Sequence, residues 1–396
     1  MQTHLPDRLP PGILLPYLLV AMVLALAYGA TFLVADGLRE AGFEASRAGA
    51  VVGTGTVATL TGALLAGKWA ERWGLLPLVA AAAVAMALAM ACFSAMGRAG
   101  MGPAYAAGLL LGLGWAVFYM LAPIQIIHCL RPAARLQAFT LLSGAQMLGM
   151  GLAAPLGHWL ARQFGGVFFA FAAYGVLCLL AAGSALLVSR RLARQPQLPM
   201  KAVALSMPAV VAVLRSRAAM PVVLMGLSAC SFAGLSTFQS LYAQARGLTP
   251  DIFFITFTVT TVVLRFTVAP WIGRLPLGRL ALCLFVLTVF AITLLIVNMG
   301  SPVLYALASL LFAVGYGLTY STLNAMVVNM AESLEISIPV ASQVFTLGYF
   351  AGAFGFPYVA GALIASFSID AVFFMMLALV GVNVVMAGTV PALRRG

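Results

Sequence analysis

Side chains able to do chemistry are scarce in this sequence: 21 Lys and Arg, nine Asp and Glu and three His among 396 residues. The acids are Asp7, Asp36, Glu40, Glu44, Glu71, Asp251, Glu332, Glu335 and Asp370, and none falls in the middle of a long apolar stretch. His4, His128 and His158 have no metal-ligand spacing, and the five cysteines, Cys92, Cys129, Cys178, Cys230 and Cys283, are scattered and odd in number. No disulfide frame, metal cluster, nucleophile-base pair or cofactor is therefore expected. The chemistry left is binding an anion and carrying a proton. Arg265 stands inside an apolar stretch, where a charge costs ~2.5 to 3.5 kcal/mol on insertion scales and marks a pathway or a partner. It reads either as a structural arginine, bonded to carbonyls or snorkelling to the cytoplasmic face, or as a cavity cation for an anionic substrate. A coupled proton needs a titratable group that two faces reach in turn. Asp36 and His158 are the candidates, against an interfacial acid pairing Arg39 and a satisfied interfacial histidine.

The elements that position these residues are apolar throughout. Hydrophobic residues make up 63% of the chain, against roughly 45 to 50% in soluble proteins, and the mean hydropathy is +1.09. Apolar runs cover 12–35, 48–66, 75–96, 102–127, 139–160 and 166–188, then 218–243, 252–272, 280–299, 302–328, 340–365 and 371–390. Each is near the ~20 residues with which a helix crosses ~30 Å of hydrocarbon, and their continuity excludes the alternating strands of a membrane barrel. The expectation is an all-α integral membrane protein of twelve transmembrane helices. The first run is too long for a signal-peptide core and reads as a retained helix.

The net charge of +12 would suit nucleic acid, but its distribution points to a bilayer. With the N-terminus inside, fifteen of the 21 cations fall on the cytoplasmic side, and Arg39, Arg47, Arg98, Arg162 and Arg246 fall outside. That asymmetry predicts both termini in the cytoplasm of a bacterial inner membrane. The longest polar interruption, Ser189 to Arg217, has six basic residues and no acid. It divides the chain into an N-terminal six-helix bundle, 1–188, a cytoplasmic linker, 189–217, and a C-terminal six-helix bundle, 218–396.

The halves are related. Gly42-Phe43 aligns with Gly247-Leu248, Leu109 to Trp115 with Leu310 to Tyr316, Tyr119 with Tyr320, and Pro155 with Pro357, at offsets of 201 to 205 residues. Such a repeat is common in transporters. It predicts two bundles of parallel repeat topology around a central cavity. Gly53-Thr54-Gly55-Thr56-Val57-Ala58 fits a dinucleotide fingerprint only formally, because no strand precedes it. Tyr316, Tyr320 and Asn324 recur every four residues and share a helix face, as do Trp115 and Tyr119.

Between the second and third runs lies Gly67-Lys68-Trp69-Ala70-Glu71-Arg72-Trp73-Gly74. It resembles the Gly-x-x-x-(Asp/Glu)-Arg-x-Gly signature of the major facilitator superfamily of secondary transporters, although Leu75 and Leu76 stand where that family usually has basic residues. Gly315 to Tyr320 is similar to a tenth-helix pattern of bacterial members. Gly151 to Gly157 resembles the fifth-helix motif of antiporters, with Ala154 in place of a glycine. The fourth run lacks the arginine of many proton-coupled members. The resemblance implies a monomeric transporter of the twelve-helix fold in which Gly67 and Gly74 bracket a tight turn and Glu71 and Arg72 brace a cytoplasmic gate. It adds Tyr28, Thr31, Gln125, Gln239 and Tyr242 to a cavity already outlined by Trp115, Tyr119, Tyr316, Tyr320, Asn324 and Arg265, with Gln146 beside them. The function it implies is proton-coupled efflux of a small organic solute, a drug, a sugar or a carboxylate metabolite such as a siderophore. An importer of an organic anion or sugar is the alternative, and a membrane-embedded enzyme or sensor is a more distant one.

Overall fold

The computed structural model describes residues 10–129, 132–192, 205–268 and 275–389. His4, Asp7, Arg8, Gly273 and Arg274 lie outside these residues, as do the side chains of Gln125, His128 and Cys129. The described residues are helical, with no strand among them. The α-helices are α1 Pro11–Gly29, α2 Val34–Glu40, α3 Ala48–Trp73, α4 Leu75–Ala99, α5 Met101–Cys129, α6 Pro132–Phe164 and α7 Val167–Leu192. They continue with α8 Met207–Arg215, α9 Ala219–Ala245, α10 Asp251–Thr267, α11 Leu277–Val297, α12 Pro302–Ser333, α13 Ile338–Ser366 and α14 Ile369–Thr389. A 3-10 turn, Ala30–Leu33, joins α1 to α2 in one span, Pro11–Glu40.

Eleven described spans are long and apolar enough to cross a membrane. The remaining expected run holds α10, 17 residues long as described, and continues toward residues outside the described set. Helices are the form these sequences take because a lipid-facing backbone must satisfy its own N–H and C=O groups. Their ends are set locally. Asn298 Oδ1 accepts from the backbone N–H groups of Gly300 and Ser301, Ser301 Oγ accepts from Leu304, and Pro302 opens α12 where no N–H is needed.

The chain forms two compact units: Met1–Ala30 with Val57–Ala204, and Thr31–Thr56 with Leu205–Gly396. The second unit therefore includes residues 31–56, which the sequence boundaries assign to the first half. Two contacts inside it account for that. Gly49 approaches the backbone of Pro357 and Gly361 so closely that a Cβ would collide with the Pro357 carbonyl, and Phe32 stacks on Phe254 at 5.2 Å. The described parts of the linker interval include helix: α7 runs on to Leu192, and α8 forms before α9 begins.

Within each unit close helix contacts run through glycine, as expected where van der Waals packing drives association in lipid. In the first unit, a Cβ on Gly149 of α6 would strike the Met22 carbonyl of α1, and one on Gly114 of α5 would lie 2.8 Å from the Ala82 carbonyl of α4. In the second, a Cβ on Gly352 of α13 would strike the Gly226 carbonyl of α9, and one on Gly315 of α12 would lie 2.9 Å from the Leu284 carbonyl of α11. These are the same contacts, 201 to 204 residues apart along the chain.

Candidate functional site

The octapeptide is more helical than its two glycines suggest. Gly67 lies within α3, which continues to Trp73, and the break is one residue long. That residue is Gly74, with φ +82° and ψ 158°, a conformation that a side chain makes costly. Its N–H closes α3 on the Ala70 carbonyl, and α4 begins at the next residue. Glu71 and Arg72 are exposed in the last turn of α3, and the Arg72 guanidinium lies 5.9 Å from the Trp73 ring. The tight turn expected between Gly67 and Gly74 is thus a helix with a single-residue corner.

In the first unit, Tyr28 of α1 and Trp115 of α5 stack at 4.4 Å with planes 14° apart, and Tyr119 joins Trp115 at 5.3 Å. Trp115 is fully buried and its Nε1–H has no protein acceptor, while Tyr119, one turn on, is half-buried. Gln146 of α6 is buried, and His158, three turns further along that helix, is half-buried.

The second unit repeats the stack. Phe232 of α9 lies on Tyr316 of α12 at 4.7 Å with planes 1° apart. Tyr316 is half-buried, and Phe312 continues the column at 5.6 Å. Phe232 is 204 residues beyond Tyr28 and Tyr316 is 201 beyond Trp115, so the repeat extends to a ring pair. One turn along α12, Tyr320 packs edge-on against Phe345 and Tyr349 of α13, and Asn324 is half-buried another turn on.

Arg265, in the last described turn of α10, reaches α12. Its Nη1 donates to Ser321 Oγ at 3.0 Å, and the side chain is half-buried. The register follows from the helix contact one turn earlier, where Gly317 gives room for the Thr261 side chain. Ser321 and Arg265 each lie four residues further on. Tyr320 and Asn324 occupy consecutive turns of α12, and Arg265 reaches that helix from α10 at Ser321, the residue after Tyr320.

Other expected cavity residues lie in the interior of the second unit. Gln239 is fully buried and its Nε2 donates to the Tyr305 hydroxyl, leaving Oε1 without a protein donor. Tyr242 is also fully buried; it donates to the Leu295 carbonyl at 2.7 Å and lies under the Arg246 guanidinium, which pairs with Asp370 at 2.7 Å. Thr31 is buried as well. Asp36, on α2, is half-buried and accepts from Gln244 Nε2 of α9 at 3.4 Å. Sequence reasoning did not single out Phe232, Ser321 or Tyr305. The repeat offset leads from Tyr28 to Phe232, but nothing in the local sequence sets Ser321 apart from other small polar residues.

The arrangement offers aromatic faces, amides and the guanidinium of Arg265 in the last described turn of α10, with no group of three or more His, Cys, Asp or Glu able to hold a metal among the described residues. The sequence profile of the Major Facilitator Superfamily matches residues 17–353. None of the curated proteins compared matches the chain in sequence. Among solved structures, that of the human organic anion transporter MFSD10 (TETRAN) is similar with a TM-score of 0.69 at 18% identity, covering 96% of this chain and 100% of that one. A variant of the nucleoside transporter NupG gives 0.69 at 14% identity, over 95% of this chain and 99% of that one. A D-xylose-proton symporter gives 0.68 at 17% identity, over 97% and 99%.

Proposed function

Because the chain belongs to the Major Facilitator Superfamily, and is thus a multi-pass membrane transporter and not an enzyme, we propose that it carries a small organic anion out of a bacterial cell across the inner membrane in exchange for protons. Both termini are cytoplasmic in this reading, and the protein works as a monomer. The observation that carries it is the placement of Arg265. A guanidinium inside an apolar span is expensive, and its planar fork suits a carboxylate. Ser321 fixes one edge of that fork. In this reading Tyr320 beside Ser321, Asn324 one turn on and Tyr316 one turn back along α12 supply contacts for the organic part of the solute. The similar fold of a protein described as an organic anion transporter supports the same class of solute. Carboxylate metabolites, siderophores included, satisfy this chemistry; uncharged sugars do not use the cation.

Purified protein in sealed vesicles, with a proton gradient imposed in either direction, tests the reading. A panel of aromatic and aliphatic carboxylates, their neutral amides and a neutral sugar serves as solutes. Carboxylates should move against the proton flow, while amides and sugar stay behind. Movement of solute along with the protons would instead identify an importer. Equal transport of acids and amides would remove the anion from the proposal.

A further inference from the structure

We propose that α8 is a membrane-surface helix that seats the start of the second half on anionic lipid. The inference begins with a helix only nine residues long, Met207–Arg215, in an interval that the sequence marks as a linker. Ser206 caps it by accepting from the Ala209 N–H, and Pro208 occupies its first turn. At the other end, Ser216 Oγ donates to the Val213 carbonyl and accepts from the Ala218 N–H. This corner joins α8 to α9 through residues 216–218 alone, and α9 is a membrane span. A helix so short and so tightly tied to the end of a span lies at the edge of the bilayer.

Its two faces differ. Val213 is fully buried where α8 packs against α9 and α13. Met207, Val211 and Leu214 fall within about 60° of one another on the helix wheel and are 64%, 40% and 48% exposed. Three large apolar side chains in a row on a soluble surface would be a liability. At the level of lipid ester groups they are covered by the upper acyl chains. Charge selects the lipid. Arg215 and Arg217 are both exposed, no acid occurs between Ser189 and Arg217, and the same interval adds Arg190, Arg191, Arg194 and Lys201. Cations directly before a span stand at headgroup depth, where anionic phosphates concentrate. The apolar face and the arginines together fit an acidic phospholipid surface.

Nitroxide labels on the full chain test this in nanodiscs of phosphatidylcholine alone or mixed with phosphatidylglycerol, after alanine replaces the native cysteines. At Val211→Cys, collisions with dissolved oxygen should exceed those with a neutral nickel chelate; at Ala212→Cys, which is exposed about 100° further round the helix and away from the Met207–Leu214 row, the order should reverse. Phosphatidylglycerol should deepen the first label, and the pair Arg215→Gln and Arg217→Gln should remove that response. Chelate access at 211 equal to that at 212 would overturn the proposal, as would shielding of 211 from both reagents, the mark of a protein partner. Equal depth in both lipids would refute the anionic preference. If the cysteine-free chain does not fold, hydrogen exchange of the native protein answers the same question. Amides 209–215 should exchange more slowly with phosphatidylglycerol present, and equal rates would again refute it.

Discussion

Arg265 shows how far a single residue can be read. Its place in an apolar run marks it in the sequence, because few side chains are as costly there. Its partner was not legible, since Ser321 is one of many small hydroxyl residues in these helices and only the three-dimensional register of α10 on α12 selects it. The contact narrows the two readings of this arginine without merging them. The Ser321 hydroxyl fixes one nitrogen of the guanidinium, and the planar fork is the feature that a bound carboxylate would use. If Arg265 binds carboxylate, Arg265→Lys keeps the charge and loses the planar fork. KM for the transported acid should then rise about tenfold, equivalent to about 1.4 kcal/mol, with Tm within a few degrees of the parent. The pair of measurements is transport kinetics and thermal unfolding. A clear fall in Tm at constant KM would make the side chain a packing element. Gln239 carries the complementary lesson. The sequence could place it on a helix near the cavity, but its polarity is used inside the second unit, against Tyr305. A polar side chain in an apolar run has two destinations, a solute path or another helix, and periodicity does not separate them.

Helices were legible as runs because their composition is uniform; their contacts were legible only where the repeat offered a second copy. Nothing in the sequence shows what Gly149 and Gly352, among the many glycines, would face; what makes them hard to replace is a facing carbonyl, Met22 in one unit and Gly226 in the other. A neighbour on the same helix supplies the control. A Cβ on Gly355 of α13 meets nothing within 4 Å. Gly352→Ala should therefore destabilise the protein by about 1 to 3 kcal/mol, the usual cost of overpacking, or separate α9 from α13. Gly355→Ala should be neutral or stabilising by up to about 1 kcal/mol, the helix propensity gained. Gly149→Ala should match Gly352→Ala if the two units are packed alike. Unfolding curves in one detergent for the three variants decide this, and equal effects at 352 and 355 would contradict the packing described above. The octapeptide shows the reverse case: its residue types were plain, but helical continuation of α3 through Gly67 was not, because a glycine between an apolar run and a charged segment suits a turn as well as a helix. Only Gly74, with its positive φ, requires the absence of a side chain.

At the scale of the molecule, offsets near 200 residues predicted two related halves. The packing repeats them contact for contact: Gly114 with Gly315, Gly149 with Gly352, and the stack of Tyr28 on Trp115 with that of Phe232 on Tyr316. The repeat did not reveal the membership of residues 31–56 in the second unit. A sequence repeat records what the halves share, and this segment's contacts with α9, α10 and α13 belong to one half only. The segment carries Asp36, whose carboxylate accepts from Gln244 on α9. That contact lies inside the second unit and joins α2 to α9. Coupling through Asp36 has a specific consequence. Asp36→Asn keeps a hydrogen-bonding side chain of the same shape but cannot take up or release a proton. Exchange of labelled for unlabelled solute across a vesicle membrane needs no net proton movement and should persist in this variant. Accumulation driven by an imposed pH gradient should be abolished. Measuring both on one preparation separates a coupling residue from a structural one, which would lose both activities together. Should accumulation survive at the parental level with its full gradient dependence, the proton is carried elsewhere, and His158→Gln becomes the variant to measure in the same two assays.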